Sequence, residues 1–239
     1  MNTVQLTAAD LEEAYVSLTI RAIAECTFVT DMVGGVPATE EGVRAFVAYQ
    51  MKLEGDEAEK AAKRIMAEEI GENTPNLGEG EELEEREVYG INVIRHDEFA
   101  PWLGNWQVKA CLKAAASRVG LFVKKRGSKG DMAEMGRVEA HGLSLLGDHP
   151  ERIHIIGPAT RFEKFMGRVN TPQGSKSIVH WSEVMPAGSE FAFELRVGSL
   201  QIKGDDLTKT FAVAQNIGLG SCKAMERGKF RVDRLEIET

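Results

Sequence analysis

Long apolar runs are missing from this chain of 239 residues. No segment approaches the roughly 20 consecutive apolar residues that a membrane-spanning helix needs, so we expect no membrane partner. The first residues, MNTVQLTAADLEEAYV, are acidic and lack the basic start and apolar core of a secretory signal. These absences together predict a cytoplasmic protein.

Cysteine is also scarce, and histidine shows no metal-binding spacing. The three cysteines are too widely spaced for a disulfide framework or a CxxC metal pair. The five histidines show no H-x-x-x-H or similar spacing. We therefore expect neither a metal site nor another cofactor. The cysteines are interpreted as small buried or half-buried apolar residues: Cys26, Cys111 and Cys222.

The net charge of −8 is unevenly distributed along the chain. Residues 54–88 include thirteen acidic and four basic residues, a balance of −9. Residues 89–131 include eight basic and three acidic residues, a balance of +5. An acidic segment is usually a solvated face. The sharper interpretation is a basic surface that an acidic insertion partly masks.

Hydrophobic periodicity predicts a mixture of strands and helices. Apolar side chains alternate with mainly polar ones in residues 17–30, which is typical of a half-buried strand. In residues 106–119 they recur at helical spacing, with Asn105 as the expected N-cap. A change of register in the last strand predicts a bulge near Asp233. Further strands are expected at 88–94, 152–156, 190–202 and 228–238, and further helices at 56–69 and 206–216.

Strands mixed with segregated helices make α+β the expected fold class. No domain-scale linker interrupts the chain, so residues 1–239 are expected to form a single domain. Residues 37–87 are the best candidate for an insertion, which would be acidic and largely helical. Residues 161–183 are expected to form a hairpin or an irregular extension.

The strongest functional signal is IGLGSCKAMERGKFRV, at residues 217–232. Gly218 and Gly220 permit positive φ angles and let a partner's backbone approach closely. Exposed amides beside cations suit a phosphate backbone, and three basic residues surround these glycines: Lys223, Arg227 and Lys229. The order helix, loop, strand is the reverse of a dinucleotide-binding motif, which follows a strand and opens a helix.

Four stretches, taken in order, resemble the RAMP superfamily of CRISPR-associated proteins. Residues 217–232, a helix end, a G-x-G loop and a G-basic-aromatic strand start, resemble the family's carboxyl-terminal signature. Residues 19–35 resemble its opening strand and glycine turn, and 103–115 resemble its PGSSLKGALR-type helix start. Residues 185–194 resemble its LPAGTRFEFEI-type strand. The closest subgroup is the backbone-type subunit that lines up along CRISPR RNA.

The resemblance implies an RRM-like, ferredoxin-like antiparallel sheet with packed helices and with helical or irregular insertions. It also implies a non-catalytic subunit that grips single-stranded guide RNA by its backbone, without sequence-specific readout. The implied protein partners are copies of itself and other effector subunits.

The RNA-binding residues come from two sources. Those carried over from the family, position by position, are Lys109, Lys113, Gly218, Gly220, Lys223 and Arg227. Charge alone adds further candidates, one beside the glycines and three in a basic run: Lys229, Lys124, Lys125 and Arg126.

Two other functions remain open. Some relatives cleave target RNA with an aspartate in the loop after the first strand, and Asp31 matches that aspartate by location only. Asp31 can equally be read as a turn residue. Other relatives use a histidine as general base, but no histidine here has a partner in the sequence. These features would make the protein an endoribonuclease, whereas the net charge of −8 would also suit a diverged protein-interaction module.

Overall fold

The computed structural model describes residues 19–37, 43–44, 47, 54–70, 88–121, 138–143, 149–171, 174–198 and 202–238. The strands are β1 (Thr19–Phe28), β2 (Met32–Val33), β3 (Val36–Pro37), β4 (Val88–Val93), β5 (Arg95–His96), β6 (Pro101–Gly104), β7 (Val138–Gly142), β8 (Arg152–Ile156), β9 (Arg161–Thr171), β10 (Gly174–Met185), β11 (Glu190–Gly198) and β12 (Phe230–Glu238). The helices are α1 (Gly55–Arg64), which continues into a π-helical turn (Ile65–Ile70), α2 (Asn105–Arg118) and α3 (Gly204–Ile217). A short 3-10 turn (Lys223–Met225) precedes β12.

The central unit consists of β1, α2, β7, β11, α3 and β12, in that chain order. Its strands lie side by side in the order β12, β1, β11, β7, and each neighbouring pair is antiparallel. Two interleaved β-α-β units with this strand order make a ferredoxin-like arrangement. The predicted α+β, RRM-like fold class is therefore confirmed. Strands β8, β6 and β5 extend this first sheet beyond β11.

Helices α2 and α3 pack against one face of the first sheet. Side chains alternate between the faces of a strand, so the period-two apolar pattern of the sequence becomes one continuous apolar face. Phe193 of β11 stacks on Phe211 of α3 with ring centroids 6.1 Å apart. The buried residues of these elements include Ala22, Ala24, Cys26, Phe28, Phe191, Phe193, Leu195, Val197, Val108, Cys111, Leu112, Ala115, Leu207, Phe211 and Ala214.

The cysteines behave as the sequence predicts. Cys26 and Cys111 are buried in this core, and Cys222 is half-buried. Burial raises the pKa of the Cys26 thiol, and it raises the pKa of the Cys111 thiol to about 11. These two thiols therefore stay protonated at neutral pH and pack as small apolar groups.

The second sheet is built from the two long excursions of the central unit, which leave it between β1 and α2 and between β7 and β11. Its strand order is β2, β10, β4, β3, and β9 also pairs with β10. β9 and β10 form an antiparallel hairpin, whereas β10 and β4 run parallel. Helix α1 packs against this sheet through a small apolar cluster that includes Ala62, Ile65, Val36 and Val93. Of the insertion predicted at 37–87, residues 38–42, 45–46, 48–53 and 71–87 lie outside the described residues.

Two local predictions can be compared with the backbone. The bulge is confirmed, because Glu25 pairs with Arg234 and Cys26 pairs with Val232, which leaves Asp233 as the extra residue. The N-cap prediction for α2 is wrong by one position. Gly104 is the N-cap, and its amide donates to Oε1 of Gln107 at 3.1 Å. A glycine cap with a glutamine in the first turn therefore begins the helix, and Asn105 is its first residue.

Candidate nucleic-acid interface

A cleft of about 680 Å³ is lined by residues from both sheets. Its walls come from the turn between β2 and β3, the end of α1, strands β5 and β6, the start of α2, the turn before β8 and the loop after α3. These segments are far apart in the sequence, so only the sheet pairings bring them together. A cleft of this size, lined by several separate segments, is a candidate ligand site.

Glycines allow the backbone segments at the base of the cleft to touch. A Cβ atom on Gly34 would lie 2.4 Å from the carbonyl carbon of Val93, and one on Gly35 would lie 2.0 Å from Oγ of Ser221. Gly220 has a φ of +76°, and its Cβ would lie 2.7 Å from the carbonyl oxygen of Val33. The glycine loop is thus fastened directly to the turn after β2.

Arginines dominate the charge of the cleft. Among the described residues that line it, three are arginines and one is a carboxylate: Arg64, Arg95, Arg152 and Glu151. A guanidinium group presents donors in a planar fork that matches the oxygens of a phosphate. The cleft is therefore a cationic site on a protein whose net charge is −8.

Two tryptophans form one wall of the cleft together with Arg95. Trp102 is buried, whereas Trp106 is 46% exposed, and their rings meet edge to face with centroids 6.2 Å apart. The guanidinium of Arg95 lies 4.6 Å from the centroid of Trp106 and 5.2 Å from that of Trp102. Arg152 approaches Trp102 at 5.2 Å. Cations over indole rings are held by the ring quadrupole, so these contacts fix both arginines beside the opening.

Glu183 holds the strand that carries Arg95. It is buried on β10, and its Oε2 accepts the amide of Ile94 at 2.8 Å. Its Oε1 lies 2.7 Å from Nε2 of His96 and accepts the hydroxyl of Thr160 at 2.6 Å. The residues on both sides of Arg95 are therefore bound to one carboxylate, which positions the arginine through its neighbours.

Asp97 positions Arg152 by contacting its guanidinium group directly. Its Oδ1 accepts two backbone amides of the β5–β6 turn, and its Oδ2 contacts Nη1 of Arg152 at 3.2 Å and Nε2 of His154 at 2.8 Å. Burial raises the pKa of this carboxyl, but the His154 contact, the two amides and Arg152 outweigh it, so the pKa lies below its usual range. His154, which is buried, therefore has a structural role.

The lysines predicted on α2 stand apart from the cleft. Lys109 and Lys113 are both half-buried, and neither is among the residues that line it. The basic run Lys124, Lys125 and Arg126 lies outside the described residues. An RNA-binding role for all five residues stays a prediction.

Some of the predicted glycine-loop residues are buried and others are exposed. Gly218 is buried and its amide donates to the carbonyl of Ala214, so it shapes the loop and offers no free amide. Gly220 lines the cleft, and Lys223 is exposed. Lys229 forms an ion pair with Glu226 at 3.1 Å. Of the predicted binding residues that the structure describes, Gly220 is therefore the one that lines the cleft.

Asp31 is the centre of an ionic cluster that also contains Arg227. Its Oδ2 accepts hydrogen bonds from Arg161 at 2.6 Å and Arg227 at 2.7 Å, and its Oδ1 accepts the amide of Ala187 at 2.9 Å. Burial raises the pKa of Asp31, but the Ala187 amide and the two guanidinium groups outweigh it and lower the pKa below its usual range. Both oxygens of the candidate catalytic aspartate are thus engaged, and they tie the turn after β1 to β9 and to the glycine loop.

Sequence reasoning missed the three arginines of the cleft and the two carboxylates that position Arg95 and Arg152. The segment RHDEFAPWLGNW, residues 95–106, did carry a signal, because a basic residue and two tryptophans are interleaved within it. Arg64 and Arg152 carried none, since each belongs to a segment with no other feature of a binding site.

Neither a membrane-spanning helix nor a metal-binding cluster is present among the described residues. They contain no helix long and apolar enough to cross a membrane. No group of three or more histidine, cysteine, aspartate or glutamate side chains in this part of the chain is placed to hold a metal ion.

No protein-family model matches the sequence, and no curated protein matches it either. Among solved structures, the chain is similar to a chain in the cryo-EM structure of the Type III-B Cmr-beta bound to cognate target RNA, with 12% sequence identity and a TM-score of 0.46. The alignment covers 96% of this chain and 64% of that chain, so this protein spans less than two thirds of the other's length. What the cleft binds has therefore to follow from its own residues.

Proposed function

We propose that the protein is an RNA-binding, backbone-type subunit of a CRISPR-type ribonucleoprotein complex, and that it holds single-stranded guide RNA in the arginine cleft. One observation carries the proposal. Residues from three of the four stretches that resemble RAMP proteins line this same cleft: 32–35, 103 with 106–107, and 220–221. Sequence resemblance and cationic geometry thus point to one place.

The cleft suits the RNA backbone because its cations are arginines. Each guanidinium can donate two parallel hydrogen bonds to one phosphate, which adds geometric fit to charge attraction. Contacts to phosphate position a strand but carry no sequence information. The protein as a whole has a net charge of −8 and repels polyanions, so the cleft is a local exception. Such a protein would grip any guide of suitable length and conformation.

Arg64 offers the cleanest test, because no described side chain forms an ion pair with its guanidinium group. We expect Arg64→Ala to weaken binding of single-stranded RNA. Loss of one phosphate contact should also lower the slope of log affinity against log salt by about 0.7. Lys60→Ala is the matched control, since Lys60 is exposed on the same helix, carries the same charge and does not line the cleft. Both variants would be titrated with labelled RNA at several salt concentrations.

Three outcomes would contradict the proposal. Equal losses of RNA affinity in the two variants would mean that RNA does not bind in the cleft. An absence of binding even at low salt, where electrostatic attraction is largest, would favour the protein-interaction module. Cleavage of labelled RNA, with or without magnesium, would favour the endoribonuclease.

The lysines of α2 are part of the same proposal. Lys109→Ala together with Lys113→Ala should lower RNA affinity if the helix contacts the strand after it leaves the cleft. Unchanged affinity in this double variant would restrict the binding surface to the cleft and the glycine loop.

A further inference from the structure

We infer that Trp106 and Arg95 form a stacking platform for one nucleobase, so that the cleft holds a base as well as the phosphates beside it. This inference rests on the proposed function, because it takes single-stranded RNA as the ligand. It adds a subsite that phosphate contacts alone do not require.

The exposure of Trp106 is the first observation. Nearly half of this large aromatic side chain faces solvent, inside a concave site and not on a convex surface. Leaving an indole in water forgoes the free energy of burying it. A planar ligand would recover that free energy, and every nucleobase has a planar face.

Arg95 adds a cation to the platform. Its guanidinium lies 4.6 Å from the centre of Trp106 and 5.2 Å from the centre of Trp102. The bonds from Glu183 to both neighbours of Arg95 limit how far its backbone can move. Guanidinium planes and aromatic rings are the two surfaces on which proteins stack unpaired RNA bases. A base stacked on Trp106 would have its own phosphate beside Arg95.

Trp102 supplies an independent observation. It is 3% exposed, it lines the cleft, and its indole Nε1 is buried without a hydrogen-bond acceptor among the described residues. A buried donor left unpaired is costly, so such groups normally have a partner. An oxygen of the bound nucleotide could accept this hydrogen bond, which nothing else described here satisfies.

Gly104 provides a way to disturb the platform without changing charge. A Cβ atom there would lie 2.2 to 2.4 Å from three atoms of the Trp106 ring. The ring is at the end of a side chain and is partly exposed, so it would swing away and leave the backbone in place. Gly104 has a φ of −71°, which alanine adopts readily. Gly104→Ala should therefore displace the indole and spare the fold.

The test compares an oligoadenylate of about 12 nucleotides with an abasic strand of the same length and charge. We expect the wild-type protein to bind the oligoadenylate about ten-fold more tightly and to show quenched tryptophan fluorescence only with that strand. Trp106→Ala and Gly104→Ala should remove this difference by lowering the affinity for the oligoadenylate more than the affinity for the abasic strand, which falls only as far as Arg95 loses its contact with the ring. Trp106→Phe should keep part of the difference. Trp181→Phe is the control, because Trp181 does not line the cleft.

The results separate the subsite from the function. Equal affinity of the wild-type protein for both strands would overturn the stacking platform and leave the phosphate-binding function intact. Binding of neither strand would overturn both. The comparison of the two strands uses the wild-type protein alone, so it decides the matter even if a variant fails to fold.

Discussion

Carboxylates hold two arginines of the cleft, Arg95 and Arg152, in place, and they do so in different ways. Glu183 is buried and accepts its hydrogen bonds from groups that flank Arg95, whereas Asp97 also contacts Arg152 itself. A side chain as long as arginine loses rotamer freedom when it is fixed. These carboxylates and the indole rings together restrain the arginine side chains before a ligand binds, which is a form of preorganisation.

Asp31 leads to a prediction about pH. Its pKa is lower in the folded protein than in the unfolded chain, so its carboxylate stabilises the fold above the ordinary value of about 4 and loses this effect as the pH falls through the folded value. We expect Asp31→Asn to lower the free energy of unfolding by about 1 kcal/mol near neutral pH, because two guanidinium groups lose a charged acceptor. The difference from wild type should vanish in acid.

Urea denaturation at a series of pH values would measure this. Glu190→Gln is a suitable control, because Glu190 is an exposed residue of β11 and its substitution removes one carboxylate charge in the same way. A difference that persists unchanged in acid would mean that the amide at position 31 destabilises the protein for a steric reason and not because the charge is gone.

For single residues, the sequence predicted which side chains are buried better than it predicted which side chains are in contact. Ala22, Ala24 and Phe28 could be assigned to the core because alternation is a local property of a strand. Arg64 and Arg152 could not be assigned to the cleft, because they meet only through pairings between segments far apart in the chain. The N-cap of α2 could not be fixed either, since glycine and asparagine are both residue types that cap helices.

Among the structural elements, the glycine loop joins the two sheets. Ser221 donates its amide to the carbonyl of Val33 at 2.8 Å, and Gly228 donates its amide to the carbonyl of Asp31 at 2.8 Å. The sequence predicted positive φ angles in this loop, and Gly218, Gly220 and Gly228 all have them. It predicted exposed amides as well, but much of the loop backbone is already bonded to the turn after β1.

Two glycines allow the stability cost of a positive φ angle to be measured apart from the cost of a close contact. Gly188 has a φ of +88° with nothing within 4 Å of its Cβ position, whereas Gly220 has a φ of +76° with the Val33 carbonyl at 2.7 Å. Gly188→Ala should therefore cost about 1 kcal/mol, the penalty of the left-handed conformation alone. Gly220→Ala should cost about 3 kcal/mol, because the loop must also move away from β2.

Thermal or urea unfolding of the two variants would give both values. Gly220→Ala should also reduce RNA affinity, since the loop lines the cleft, and Gly188→Ala should not. Equal losses of stability would show that the contact with β2 contributes nothing.

For the molecule as a whole, the exposed face of the first sheet is an unsuitable surface for RNA. In RRM domains that face carries aromatic residues on which bases stack. Here Phe191 and Phe193 belong to the buried core, and the sheet also carries ion pairs such as Arg21 with Glu194 and Arg234 with Glu25. The fold class therefore could be predicted from the sequence, but the position of the proposed binding surface on it could not.

The proposed function also predicts an assembly. If the subunit lines up along guide RNA, contacts between copies are heterologous and do not close into a ring. Protein purified without nuclease should therefore elute as particles larger than a monomer of 26.3 kDa and contain short RNAs that share repeat-derived ends. Light scattering and sequencing of the extracted RNA would test this. Nuclease treatment should return the particles to smaller species. Protein that contains no RNA even when purified without nuclease would contradict the proposal.

The pairing of β1 has a consequence for biosynthesis. β1 is the first described strand to leave the ribosome, yet its two neighbours in the sheet are β11 and β12. Arg21 of β1 contacts Glu194 and Glu238, which are made 173 and 217 residues later. A nascent chain must therefore keep an apolar strand unpaired until β11 and β12 have been made, and exposed strands of this kind are sites of aggregation. The central sheet can close only after β12 has left the ribosome, so chaperones that cover strand edges would protect the emerging chain in that interval.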